Sequence, residues 1–323
     1  MKKKEMSQIS KAEVIVWLKK KLPKLMEYTQ IICDHFPKAI YYKAHSWTPL
    51  KLICLMWWLT IYTTIIPKYF KKFWYIDLLS GPGINLIQET EDLILGSPLL
   101  ACIMPQNKFS HYIFIEGDPN KASMLNNILE FLSKEHLPIS YEVINGDCNT
   151  IVPKLPLNEC EHFFAFIDYE GLVEVDWNTV NTLLSYPSDI LIVFQTDGIR
   201  RVLEKAKKSG KEYSSLNRFF GDNTWKVASN VDELLELYKR KIKKYRSFVD
   251  SIKIRGKYSY DIILACKAGP YIRAWIDLKR VLSAVRDKDV EFVLKICKGN
   301  ISTLEEFFSP DTGQTTLKMF SDQ

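Results

Sequence analysis

The chain has 323 residues, 47% hydrophobic and 25% charged, which suits a globular protein of one large domain with additions or of two domains. Its formal net charge of +6 is modest, and its seven cysteines (Cys33, Cys54, Cys102, Cys148, Cys160, Cys266, Cys297) form no C-x-x-C pair. Scattered, odd-numbered thiols argue for a reducing, cytoplasmic setting over a disulfide framework, and the five histidines show no metal-binding spacing, so no metal is expected.

Met1-Lys2-Lys3-Lys4-Glu5 is basic, but the polar stretch behind it is unlike a secretory signal. Residues 1–70 read as a helical segment packed on the core. Ser10 can cap a helix through Val14, Val16 and Leu18, which Pro23 bends or restarts. Thr48-Pro49 gives a second start, a capping hydroxyl before a proline at the first helical position. The run from Leu52 to Ile66, with Trp57-Trp58, is uncharged but short of the roughly 20 residues that span a bilayer. It reads as a buried helix, and no membrane is expected.

Tyr75-Ile76-Asp77 then runs into Leu78-Leu79-Ser80-Gly81-Pro82-Gly83, an apolar strand ending in an acid and a glycine turn. A strand covered on both faces need not alternate, and glycines let a backbone take φ > 0 and approach a ligand closely. The next clean helix start is Ser97-Pro98, so residues 84–96 read as an acidic loop with Glu89, Glu91 and Asp92, either a lid or an exposed insertion. Three more strands end in acids: Tyr112–Glu116, Tyr141–Asn145 followed by Gly146-Asp147, and Phe163–Asp168. Asp118-Pro119 starts a helix between the first two of these, and Ile190–Phe194 is a fifth strand. Alternating strands and helices predict an α/β fold with a parallel, doubly wound sheet.

Residues 200–257 carry seventeen Lys and Arg against seven acids, a local excess larger than the net charge of the whole chain. Tyr213, Phe219, Phe220, Trp225, Tyr238 and Tyr245 are interleaved with the charges. Lys and Arg clusters neutralise phosphates and aromatic rings stack on unpaired bases, so this segment is a candidate nucleic-acid surface; a solvated helix face is the alternative. A strand pair follows near 251–255 and 261–267, and Gly269-Pro270 opens a helix with Ile272, Trp275, Ile276 and Leu278 on its apolar face. The tail, 286–323, holds one helical stretch, Val290–Ile296, and a polar end.

Four parallel strands thus deliver Asp77, Glu116, Asp147 and Asp168 to one edge of the sheet. An acid after the second strand can accept both hydroxyls of a ribose, and one after the third can accept the amino group of an adenine. The dinucleotide fingerprint fits poorly: the third glycine is missing, and Glu116 lies much farther on than the fingerprint's acid. No Gly-Lys-Ser/Thr is present, so a P-loop is excluded. A nicotinamide-dependent reductase is the weakest of the readings.

This layout resembles the class I S-adenosylmethionine-dependent methyltransferases and, more narrowly, the three-Cys-motif partner (TcmP) family. The carrying residues are Tyr75-Ile76-Asp77 with Gly81-Pro82-Gly83, Gly96-Ser97-Pro98-Leu99, Tyr112–Glu116, Gly146-Asp147 and Phe166-Ile167-Asp168 with Gly171-Leu172 and Trp177; Tyr271–Trp275 is a weaker echo. The resemblance implies a Rossmann-like methyltransferase sheet over 71–285, mostly parallel, with an antiparallel last strand from the hairpin near 251–267, a basic helical insertion at 200–250 and a tail from 286. It implies S-adenosylmethionine as cofactor, with Gly81 and Gly83 at its methionine part, Glu116 at the ribose and Asp147 at the adenine. Asp77, Ser80, Asp118 and Cys148, beside these, fall in the same cofactor-binding set. The family name implies a cysteine-motif partner protein.

After the fourth strand the family pattern is Asp-Pro-Tyr-Gly, similar to the Asp-Pro-Pro-Tyr of amino-group methyltransferases, where the acid holds the target amine and the aromatic stacks on its base. Here the run is Asp168-Tyr169-Glu170-Gly171. The aromatic stands one position earlier and a carboxylate takes its place, so the catalytic candidates are Asp168, Tyr169 and Glu170. Two functions follow from the resemblance: a methyltransferase acting on or near nucleic acid, or a catalytically idle partner or nucleic-acid-binding module on the same fold.

Overall fold

Ser10 opens the first helix with a reciprocal cap. The Glu13 amide donates to its hydroxyl at 3.3 Å, and its own amide donates to the Glu13 carboxylate at 2.8 Å. The computed structural model describes residues 9–135, 137–172, 174–209 and 213–298. Helix α1 (Lys11–Met26) continues through Pro23 and is followed by α2 (Thr29–His35), strand β1 (Tyr42–Ala44) and α3 (Thr48–Ile65). The expected cap of α3 is not made: the Thr48 hydroxyl accepts from the His45 amide, and no side chain caps the helix. By length and composition Thr48–Lys68 could cross a membrane, yet 61% of its most apolar window is buried inside the fold.

The sheet strands and their crossovers follow in order: β2 (Phe73–Asp77), β3 (Ile84–Ile87), β4 (Asp92–Leu95), α4 (Ser97–Ile103), β5 (His111–Glu116), α5 (Pro119–Glu135), β6 (Tyr141–Asn145), α6 (Cys148–Ile151), β7 (His162–Ile167), α7 (Trp177–Leu184) and β8 (Ser188–Phe194). Three helices, α8 (Thr196–Ser209), α9 (Ser214–Phe220) and α10 (Val231–Ile242), lead to the hairpin β9 (Phe248–Ile254) and β10 (Tyr260–Cys266). Helices α11 (Ile272–Leu282) and α12 (Asp287–Cys297) close the described chain, and α12 returns to α1, where Lys11 pairs with Asp289. The tail beyond residue 298 lies outside the described residues.

The main sheet has seven strands in the order β6-β5-β2-β7-β8-β10-β9. Its first five are parallel, and β10 pairs antiparallel with both β8 and β9. This is the α/β, mostly parallel, doubly wound sheet with an antiparallel last strand that the sequence predicts. The chain leaves β2 for β5 on one side and later returns to β7 on the other, so the topological switch lies between β2 and β7. Ligands of open α/β sheets bind outside the carboxyl ends at such a point.

Every residue of β2, β7, β8 and β10 is buried, which explains their largely apolar runs. Alternate residues serve opposite faces. Tyr75, Tyr112, Phe114 and Phe164 pack toward α3, whereas Ile76, Ile113, Ala165 and Ile263 pack toward α7 through α10.

Residues 84–96 are a hairpin, contrary to the expected loop: β3 pairs antiparallel with β4 and parallel with β1 in a separate three-stranded sheet. Its base is held by the Gly96 amide donating to the Gly83 carbonyl at 2.7 Å, and its tip by Glu89, which accepts from the Ser46 amide at 3.0 Å. Ile276, expected on the apolar face of α11, is 48% exposed; Trp275, Leu278 and Leu282 form the buried stripe.

Candidate active site

The turn after β2 is built by close tethering to β5. The Ser80 amide and hydroxyl both donate to the Ile115 carbonyl, at 2.9 and 3.0 Å. Gly81 and Gly83 adopt φ of +64° and +93°, a region that side chains rarely enter. A Cβ on Gly83 would press on Leu99 and Leu125, while one on Gly81 would project into open space. The glycine at 81 therefore leaves room on the ligand side of the turn.

Glu116, at the end of β5, fixes this turn electrostatically. One carboxylate oxygen accepts from the Gly81 amide at 2.7 Å and the other from the Asp118 amide at 2.9 Å. Each oxygen keeps a further lone pair for a hydroxyl donor. Asp77 lies beneath, fully buried, accepting from the Tyr75 hydroxyl at 3.0 Å; its Oδ1 has no hydrogen-bond partner. Burial pushes its carboxyl up to about 7, against the pull of the Ser97 and Tyr75 hydroxyls.

Ser80, Gly81, Glu116, Asp168 and Glu170 line a cleft of about 160 Å³ at the switch point. Lys51 of α3 crosses it to Asp168, Nζ to Oδ2 2.5 Å, with both side chains about one-sixth exposed. Helix α3, read from sequence only as core, thus supplies a cation to the site. The cleft is smaller than the roughly 300–1,000 Å³ usual for ligand sites.

Several expected site residues lie elsewhere. Asp147 is exposed and accepts from the Asn149 amide at 2.9 Å, capping α6. Asp118 likewise caps α5 through the Asn120 amide at 2.8 Å. Cys148 is buried, its thiol donating to the Glu174 carbonyl and pushed up to about 12 by burial. None of the three lines the cleft.

Tyr169 is turned away as well. Successive residues leaving an extended strand point to opposite sides, so Asp168 faces the cleft and Tyr169 the core. Its ring packs edge-on against Phe219 with centroids 5.4 Å apart, and its carbonyl accepts from the Gln195 side chain at 2.6 Å. It cannot stack on an acceptor there. Glu170 does reach the cleft, and its carboxyl is raised by partial desolvation and by neighbouring Glu174.

A groove of about 280 Å³ continues from the cleft past Lys51 and Glu170 to Lys43, His45, Trp47 and Tyr258. His45 stacks on Trp47 at 4.3 Å and Trp47 on Tyr258 at 6.2 Å, with the Arg201 guanidinium over the Tyr258 ring at 5.9 Å. No local pattern marks these residues; α3 and the β9–β10 hairpin bring them together from distant parts of the chain. The aromatic residues of the basic segment, in contrast, mostly face inward, and some of its cations are paired. Phe219, Phe220, Trp225 and Tyr238 are core, Lys241 pairs with Asp222, and Arg218 with Asp176.

No protein-family model matches the chain, and no curated protein matches it in sequence. Among solved structures it is similar to a Legionella pneumophila protein (TM-score 0.45, 14% identity, 71% of this chain and 89% of that one). It is also similar to Trm1 from Pyrococcus horikoshii in complex with S-adenosyl-L-methionine (0.40, 10%, 69% and 56%). A third is a methyltransferase from Geobacter sulfurreducens (0.37, 7%, 81% and 99%).

Proposed function

We propose that this chain is an S-adenosylmethionine-dependent methyltransferase whose acceptor is a planar nitrogenous ring, such as a base in nucleic acid. The observation that carries the reading is the Glu116 carboxylate, which pins the Gly81 turn at the switch point, lines the cleft and accepts only once at each oxygen. Glu116 would take the ribose hydroxyls and the Gly81 turn would let the methionine part lie close to the backbone. S-adenosylmethionine, when bound, supplies a methyl group on a sulfonium for in-line displacement. Asp168 would hold the acceptor N–H in line, which is most of what such a transfer requires. Glu170, with its raised carboxyl, would take the proton. The stacked His45, Trp47 and Tyr258 would form the wall against which a planar acceptor lies. The narrower resemblance to the TcmP family belongs to this reading and rests on the quoted motifs alone.

Calorimetric titration with S-adenosylhomocysteine is expected to give saturable one-site binding; no binding would remove the enzyme reading. A second reading keeps the fold without the chemistry, and the Lys51–Asp168 pair favours it, because Asp168 is already engaged. Transfer of labelled methyl groups to RNA or DNA would exclude that alternative.

Lys51 can be tested separately. Lys51→Ala enlarges the cleft for either ligand form, so volume cancels in a comparison of the two. It also leaves Asp168 as an uncompensated anion beside the sulfonium, which only S-adenosylmethionine carries. The affinity ratio of S-adenosylmethionine to S-adenosylhomocysteine should therefore rise about three- to tenfold, for an attraction of about 1 kcal/mol in a half-solvated cleft. An unchanged ratio would place the sulfonium away from Asp168.

A further inference from the structure

A second cavity, of about 870 Å³, opens at the opposite edge of the sheet, where β7 and β8 begin and β10 ends. The six residues of β7 separate it from the cleft by about 20 Å. Lys68 and Tyr69 border it from the segment before β2, Tyr245 and Arg246 from the turn after α10, and Lys267 and Tyr271 from the end of β10. No Asp or Glu lines it.

The charge here is available. Lys68 and Lys267 are exposed, and neither makes an ion pair among the described residues. Arg246 donates to the carbonyls of Leu184, Tyr186, Ser188 and Tyr245, so it contributes field and no free donors. His162 on the floor is held neutral by burial, its pKa pushed down to about 4. The rings are available too: Tyr69 is 75% exposed and Tyr245 41%.

We propose that this bowl binds a single-stranded nucleic-acid segment, with phosphates on Lys68 and Lys267 and unpaired bases on Tyr69 and Tyr245. Unpaired cations beside exposed rings are the two parts of a strand-binding platform. An acidic peptide would use the cations and leave the rings unstacked. A duplex presents its phosphates on a convex rod and keeps its bases away from a concave pocket. The basic segment of the sequence thus meets this bowl through Tyr245, whose ring is exposed, while Phe219, Phe220, Trp225 and Tyr238 build the core.

The test uses the full chain without any methyl donor and a fluorescent single-stranded oligonucleotide of about twelve nucleotides, read by anisotropy. Lys68→Ala with Lys267→Ala should weaken binding about tenfold or more and flatten the log-affinity against log-salt slope by about 1.4, roughly 0.7 for each lost phosphate contact. Adding Tyr69→Ala should cost about a further tenfold through lost stacking. The double Lys→Arg variant should retain affinity, and unchanged melting temperatures would show that these exposed substitutions leave the fold intact. The proposal is overturned if the triple variant binds like the parent, if no strand binds at all, or if a mononucleotide binds as tightly as the strand. Preference for anionic phospholipid vesicles over the strand would overturn it as well. None of these results touches S-adenosylhomocysteine binding in the cleft, which stands or falls by itself.

Discussion

Glu116→Gln should reduce S-adenosylhomocysteine affinity on the order of 100-fold while leaving the protein folded. In the parent, both carboxylate oxygens accept from backbone amides, at 2.7 Å from Gly81 and 2.9 Å from Asp118. A ribose diol would add two more donors, and hydrogen bonds to a charged partner are worth about 1.5–3 kcal/mol each. Glutamine keeps one acceptor and turns the other into an NH2 that faces an amide donor or a ribose hydroxyl. Losing one charged bond and weakening the second gives about 3 kcal/mol, which is the 100-fold stated. The turn itself has other supports, since Ser80 is tied twice to the Ile115 carbonyl. The melting temperature should therefore fall by only a few degrees, for a loss of about 1 kcal/mol. Calorimetry on the variant, with a melt on the same sample, separates the two effects. Equal affinity at equal stability would show that Glu116 braces the turn without touching ligand.

The strands that build this site are legible because buried parallel strands carry unbroken apolar runs, and each run ends in an acid that marks the carboxyl edge. Which acids face the cleft is a matter of side and reach, which the runs do not encode. Asp77 ends inside the core, Asp147 and Asp118 are used as helix caps, and one step of alternation sends Tyr169 under Asp168. The hairpin at 84–95 escapes a sequence reading for a local reason. Its turn places Glu91 at φ +57°, where Asn or Gly would announce the reversal. The charge count over 200–257 does not show where its aromatics go. Phe219, Phe220 and Tyr238 pack on one another in the core. The Lys51–Asp168 pair joins residues more than a hundred positions apart, and nothing near either residue announces the other.

Asp77→Asn should make the protein more stable at pH 8 and change nothing, or destabilise it slightly, near pH 4. The folded pKa of Asp77 is raised to about 7 from the ordinary value of 3.8, with burial as the leading cause. Between those values the folded state holds a proton that the unfolded chain has released, so this group's contribution to stability falls as pH rises. One proton over about three pH units amounts to about 4 kcal/mol lost by pH 8. Asparagine has no charge to desolvate and can still accept from the Tyr75 hydroxyl. Its NH2 would lie where Oδ1 now has no partner, at a cost of about 1–3 kcal/mol if it finds none. The net gain at pH 8 is then about 1–3 kcal/mol. Other buried groups slope in this range: Asp189, also raised to about 7, with Asp261 and Asp287, both raised by burial, in the same direction, and His162, pushed down to about 4, in the opposite one. All are present in parent and variant, so they cancel in the difference. Urea unfolding of the pair from pH 4 to pH 8 should give a difference that rises by about 1.4 kcal/mol per pH unit and levels off above 7. A flat difference would mean that Asp77 stays ionised throughout, held so by the Ser97 and Tyr75 hydroxyls and the Leu79 amide against the pull of burial.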